Sequence, residues 1–297
     1  MRDLKNNLTT SGKSSTNIQT RRGKSFGYQV LGFGSGGAAS LFVEATGGTI
    51  TEDGDYKVHT FTGDGTFCVS NIGPPAGGPN DVDHLVVAGA GGASVGGGGA
   101  GGYRTSFPSP AGVIPVTVQG YPITVGAGGG GSPCSSTDNT AGNPSVFGPI
   151  TSTAGGKSGI IAVGPNGDGT PGGSGGGAGG ANPEQTCGGA GNTPPVSPPQ
   201  GNPGGDNAAG PPYGGAGGGG ATGAGASGTP TAAGGAGTTN SISGSPLPYA
   251  TGGSVSGTPS PSGAANTGNG GGGNTWGAGG SGGAGGSGIV VIRYKFQ

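Results

Sequence analysis

The chain has 297 residues, of which 83 are glycine and 25 proline, while only 8% are charged and the formal net charge is -1. So few large apolar side chains exclude a fold held mainly by an oily core, and so little charge excludes a solvated coil kept open by repulsion. What remains is a chain condensed through backbone hydrogen bonds laid side by side, with glycine permitting the close approach.

Residues 1–45 read as an extended basic arm. Arg2, Lys5, Lys13, Arg21, Arg22 and Lys24, six of the 11 Lys and Arg, lie in the first 24 residues against the single acid Asp3. That balance suits docking on an acidic protein surface, and nucleic acid is not expected as a partner. Arg21-Arg22 loosely resembles a twin-arginine export signal, but Lys24 stands where such signals want an apolar residue and glycine interrupts the run that follows. Phe26 to Phe33 alternates large and small residues as a short strand or docking segment would. Arg21, Arg22, Phe26, Tyr28 and Phe33 are therefore the candidate anchoring residues.

Residues 46–160 form a strand-rich part. Thr49-Ile50-Thr51 and Tyr56 to Phe61 flank Asp53-Gly54, a strong hairpin signal. Further strand-length runs are Thr66 to Ser70 and Val82 to Val87, followed by Gly102 to Phe107, Val113 to Val118, Pro122 to Gly126 and Ser145 to Thr151, these last four bounded by Gly or Pro. Residues 161–287 are the glycine-rich body, and residues 288–297 hold the clearest strand, Gly288 to Phe296, expected to return and pair with the early strands. No segment carries a sustained 3.6-residue apolar period, so essentially no α-helix is expected. The longest apolar run, Gly288 to Ile292, falls far short of the roughly 18 residues that span a bilayer, and no membrane insertion is expected.

Collagen needs glycine at every third position, and runs such as Gly217-Gly218-Gly219-Gly220 break that period. Single polyproline II-like helices, three residues per turn and bonded laterally, fit better, with Pro194-Pro195, Pro198-Pro199 and Pro211-Pro212 stiffening the corners. The expected fold class is all-β and irregular: a small antiparallel β-sandwich framing a glycine-rich insertion of packed polyglycine II helices.

The motifs that could carry chemistry are weak. Gly12-Lys13-Ser14 and Gly23-Lys24-Ser25 echo a phosphate loop, but Asn7 and Ile18 stand where its first glycine belongs. Gly89-x-Gly91-x-x-Ser94 lacks the third glycine of a dinucleotide fingerprint. Gly92-Ala93-Ser94-Val95-Gly96 spells a nucleophile elbow without the helix that device requires. His59 and His84 read as surface or strand-face residues, and Glu52, Asp53, Asp55 and Asp64 as ordinary turn acids instead of calcium ligands. Cys68, Cys134 and Cys187 read as free thiols, although Cys134 and Cys187 could pair. No catalytic residue, cofactor or metal is assigned, and no enzyme is expected. Tyr213, Tyr249 and Trp276 either contact a receptor from loop ends or plug gaps between backbones, as do Tyr103 and Tyr121 earlier.

The ordered phrases GGTITEDGDYKVHTFTGDGTFCVS, VDHLVVAGAGGASVGGGGAGGYR, ITVGAGG, SVFGPITSTAGG and GGSGIVVIRY resemble the glycine-rich domain of bacteriophage tail-fibre, adhesin and related virion surface proteins of marine type, from about Gly47 to Tyr294. The resemblance implies a non-enzymatic virion structural protein, assembled in the host cytoplasm, with strands framing a polyglycine II bundle whose far loops meet the host. Its partners would be other virion proteins through the arm and a host receptor, polysaccharide or outer-membrane protein, and a homotrimer is compatible with a fibre. A head fibre or capsid decoration is the rival within virions, and a cellular glycine-rich wall or matrix protein is the rival of another class.

Overall fold

Alternation at period two builds the sheets, and a different period, three, builds everything between them. The computed structural model describes residues 41–73, 80–109, 112–133, 136, 138–162, 164–180, 185–207, 214–228, 231–257, 260–275 and 280–297. The strands are Glu44–Thr46 (β1), Thr49–Asp53 (β2), Tyr56–Phe61 (β3), Gly65–Asn71 (β4), Asp81–Val87 (β5), Tyr103–Thr105 (β6), Ile114–Pro115 (β7), Gly120–Thr124 (β8), Ser145–Phe147 (β9), Ile150–Ser152 (β10), Thr238–Asn240 (β11), Leu247–Tyr249 (β12) and Ile289–Lys295 (β13). Among the described residues the sole helical element is a 3-10 turn, Gly164–Asn166. The fold is all-β, as expected.

A five-stranded sheet runs β1-β4-β8-β9-β10, a six-stranded sheet runs β2-β3-β13-β5-β6 with β7 beside β5, and β11-β12 form a separate hairpin. All of these pairs are antiparallel. The C-terminal strand does return: β13 lies between β3 and β5, with Val290 opposite Phe61 and Val86. Asp53-Gly54 opens the β2-β3 turn, where Gly54 takes a φ of 57°. Ser145 to Thr151, expected as one strand, is instead the β9-β10 hairpin, because Gly148 turns at a φ of 53° and Pro149 cannot donate to a ladder.

The six-stranded sheet is the middle of three layers. On one face Phe61, Val82, Val86, Val290, Ile292 and Tyr294 meet Phe67, Val69, Ile123 and Phe147 of the five-stranded sheet. On the other, Val58, Leu85, Val87, Ile289 and Val291 meet Ile242, Tyr249 and Ala250 around the β11-β12 hairpin. Odd and even residues of β13 thus feed two different cores, which is why a near-continuous apolar run was needed there.

Beyond the strand ends the hydrogen bonds change direction at every residue and repeat at every third. Along 96–102, the N–H groups of Gly96, Gly99 and Gly102 donate to Gly159, Gly156 and Thr153; those of Gly97 and Ala100 to Ala216 and Gly219; those of Gly98 and Gly101 to Gly271 and Gly268. The carbonyls of the same run accept from Gly177 and Ser174, from Gly253, and from Gly91 and Ala88. One extended helix therefore sits among six neighbours with none of its N–H bonds made internally, the signature of a threefold polyproline II geometry. Segments 88–93, 174–179 and 216–220 repeat the pattern with their own neighbours. Most backbone N–H groups of these segments find a carbonyl partner this way without a sheet.

This lattice starts at residue 88, not at 161. It is assembled from the described residues of four excursions, 88–102, 125–144, 153–237 and 250–288, and the bonds Ala88 to Gly102, Gly102 to Thr153 and Gly288 to Gly126 join their strand-side ends at 88, 102, 126, 153 and 288. Strands and lattice are interleaved in the chain and separate in space. Glycine is required where helices touch, since a Cβ on Gly98 would lie 2.0 Å from the carbonyl oxygen of Gly91.

Candidate functional site

Where the edge strand β6 meets the lattice, a cavity of about 440 Å³ is lined by His84, Tyr103, Arg104, Thr105, Ile150, Pro198, Pro199, Ala221, Thr222 and Thr238, among others. β5 and β6 supply its polar wall and the proline corner its apolar one. The corner is held by two amides. Asn192, in the left-handed region at a φ of 50°, accepts from Val196 N and Gln200 N on its Oδ1 and donates from Nδ2 to Val196 O. Gln200, 1% exposed, accepts from Thr153 N at 2.8 Å and donates to Thr153 Oγ1 and Pro194 O, while its own carbonyl takes the N–H of Tyr103. The wall is built before anything arrives. Replacing Gln200 by Leu strands the Thr153 N–H and is expected to lower stability by about 1–3 kcal/mol in denaturant titration; an unchanged midpoint would show that the corner holds without it.

His84 is 3% exposed, and its Nδ1 has no hydrogen-bond partner among the described residues. Burial, with the nearby Arg104 charge adding to it, holds the imidazole down to about 4. Its folded value lies below the ordinary 6.5, so neutrality of His84 contributes stability that is present above pH 6.5 and lost as pH falls toward about 4. The loss amounts to about 3 kcal/mol. A His84→Gln chain is expected to show a shallower fall in melting temperature over that window; superimposable curves would remove His84 as the cause. Tyr103 is fixed by Asn240, whose Nδ2 donates to Oη at 2.7 Å, and burial pushes its phenol up.

His59 is equally inaccessible, so neither histidine is a surface residue. Gly47 O can only accept, hence His59 Nδ1 donates to it at 2.8 Å and Nε2 takes the Tyr294 hydroxyl at 3.1 Å. Burial lowers the His59 pKa and raises Tyr294 to about 12. Ser94, the elbow serine, is fully buried inside a lattice helix and donates to Pro133 O. Of the turn acids, Asp53 pairs with Arg293 at 2.6 Å and Asp64 accepts from Val125 N. Among the described residues no three His, Cys, Asp or Glu gather as metal ligands would. A smaller hollow of about 230 Å³ beside Arg293 is lined by Tyr56, Asp83 and Phe107. The guanidinium there is already neutralised by Asp53 and lies over the Tyr56 and Phe107 rings.

Tyr249, a candidate receptor contact, is 2% exposed in the second core and offers no surface. Its ring fills the space between the hairpin and the six-stranded sheet. Tyr213, Trp276, Cys134 and the anchoring candidates Arg21, Arg22, Phe26, Tyr28 and Phe33 lie outside the described residues. Cys68 and Cys187 are exposed free thiols. The cavity residues were not foreseen as a set. The one local cue was Arg104, an isolated charge at the mouth of a long run almost devoid of charge.

The search of curated proteins gives no match to this chain. The family described as a glycine-rich domain matches residues 62–295, from the β3-β4 turn to the end of β13. With strands and lattice both inside that span, the chain belongs to the glycine-rich domain family.

Proposed function

We propose that this protein is a non-enzymatic virion structural component, a tail fibre or adhesin whose rigid glycine body is presented for attachment to a host surface. The observation that carries the reading is the three-residue hydrogen-bond repeat, which makes a stiff body from a chain with few large side chains. The likeness of its strand phrases to phage glycine-rich domains supplies the setting. Residues 1–45 serve as the arm that joins other virion proteins. Of the residues that catalytic patterns would use, His59 and Ser94 are fully buried.

Two experiments test this. A reconstruction of particles carrying the full chain is expected to place its density on the tail, and density on the capsid would make it a head fibre or decoration instead. A chain starting at residue 25 should fold with an unchanged melting curve yet fail to enter particles; normal incorporation would overturn the anchoring role.

A further inference from the structure

Arg104 is unusual in a chain so short of charge. Among the described residues the sole ion pair is Arg293 with Asp53, so Arg104 faces the large cavity with no carboxylate of its own. Its one described side-chain bond is a long one, 3.5 Å from Nη1 to Thr151 O. A planar fork of this kind recognises a carboxylate with two parallel bonds. Beside it, the His84 imidazole lines the same cavity, its Nδ1 enclosed, and leaves Nε2 as the ring nitrogen that can meet a ligand hydroxyl.

The remaining walls are of another character. Ile150, Pro198, Pro199 and Ala221 are apolar, while Tyr103, on the face of β6 opposite Arg104, is locked by Asn240. A sugar ring presents the same division, C–H groups on its faces and hydroxyls at its edges. The volume, about 440 Å³, lies in the range of small-molecule sites. Inorganic phosphate or a short dicarboxylate would engage Arg104 but leave the apolar wall unused, and a neutral sugar would leave Arg104 unpaired.

We propose that this cavity is a binding subsite for a single carboxylated sugar residue, a uronic acid, with Arg104 taking the carboxylate, His84 a hydroxyl, and the proline corner with Ile150 the ring. It deepens the attachment reading, on which it rests only for the source of the sugar, an acidic surface polysaccharide. The site lies at the junction of strands and lattice, built from β5, β6, β10 and the corner that Gln200 holds.

The test is titration of the full chain with D-glucuronate, D-glucose and acetate, followed by calorimetry or NMR shifts. Saturable glucuronate binding, roughly tenfold tighter than for either control and reduced roughly tenfold by Arg104→Gln, is expected. Should Arg104→Gln not fold, Thr222→Trp at the exposed rim closes the mouth and is expected to abolish the same binding. Absence of saturable glucuronate binding, equal affinity for glucose, or binding unmoved by both variants would overturn the subsite. Each of those results leaves particle adsorption to cells unaffected, so failure of the cavity and failure of the attachment reading are read separately.

Discussion

Replacing Gly98 by alanine is expected to cost at least about 4 kcal/mol or to prevent folding altogether. The added Cβ would stand 2.0 Å from Gly91 O, more than an ångström inside contact distance, and the obstacle is backbone, not a side chain that could swing aside. Gly91 cannot yield, because its own N–H is bonded to Gly99 and its carbonyl to Gly271. Gly218→Val should fare worse, with Gly98 O at 2.0 Å from its Cβ and two further carbons to place. Gly63→Ala is the control. A Cβ there meets nothing within 4 Å, its φ is not left-handed, and alanine restricts the unfolded chain, so a gain of about 0.4–1 kcal/mol is expected. Equal unfolding midpoints for Gly98→Ala and Gly63→Ala would defeat the interlocked lattice.

Phe67→Ala is expected to cost about 3–5 kcal/mol. The side chain is fully buried between the two large sheets and meets four rings: His59 edge-on at 5.0 Å, Phe147 edge-on at 6.0 Å, Tyr294 at 6.1 Å and Tyr121 at 6.4 Å. Because the neighbouring strands are pinned by their ladders, the vacated space cannot collapse, and the cost falls near the upper end. Removal of the ring also lets water reach His59, so the His59 pKa should rise toward its ordinary value. Denaturant titration with the histidine shifts followed by NMR reads both effects, and a loss below about 1 kcal/mol would mean that this layer is loosely packed.

The sheets were largely legible because their signals are local. Val82 to Val87 and Ile289 to Tyr294 are apolar runs of strand length, and Asp53-Gly54 is a turn that its own residues specify. The lattice was legible only as a kind of object. Gly97 bonds Ala216 and Gly98 bonds Gly271, yet one glycine is indistinguishable from the next, so nothing in the sequence states which segment lies beside which. β11 and β12 escaped notice for a related reason. Thr238-Thr239-Asn240 and Leu247-Pro248-Tyr249 have no period of their own, and the hairpin is held by Ile242 and Tyr249 in a core contributed by distant strands. The same burial withdraws Tyr249 from the surface, where its place near loop ends had suggested a contact. The cavity joins residues 84, 104, 150, 198 and 222, and no linear pattern unites them.

The six-neighbour arrangement around 96–102 also dictates how such a body can change in evolution. Inserting or deleting one amino acid turns all that follows by about 120°, so each donor thereafter addresses the wrong adjacent strand of the weave. Three together add or remove a whole turn and preserve every bearing. Length variation among relatives within these glycine tracts should therefore come in multiples of three, with other sizes confined to the connecting bends.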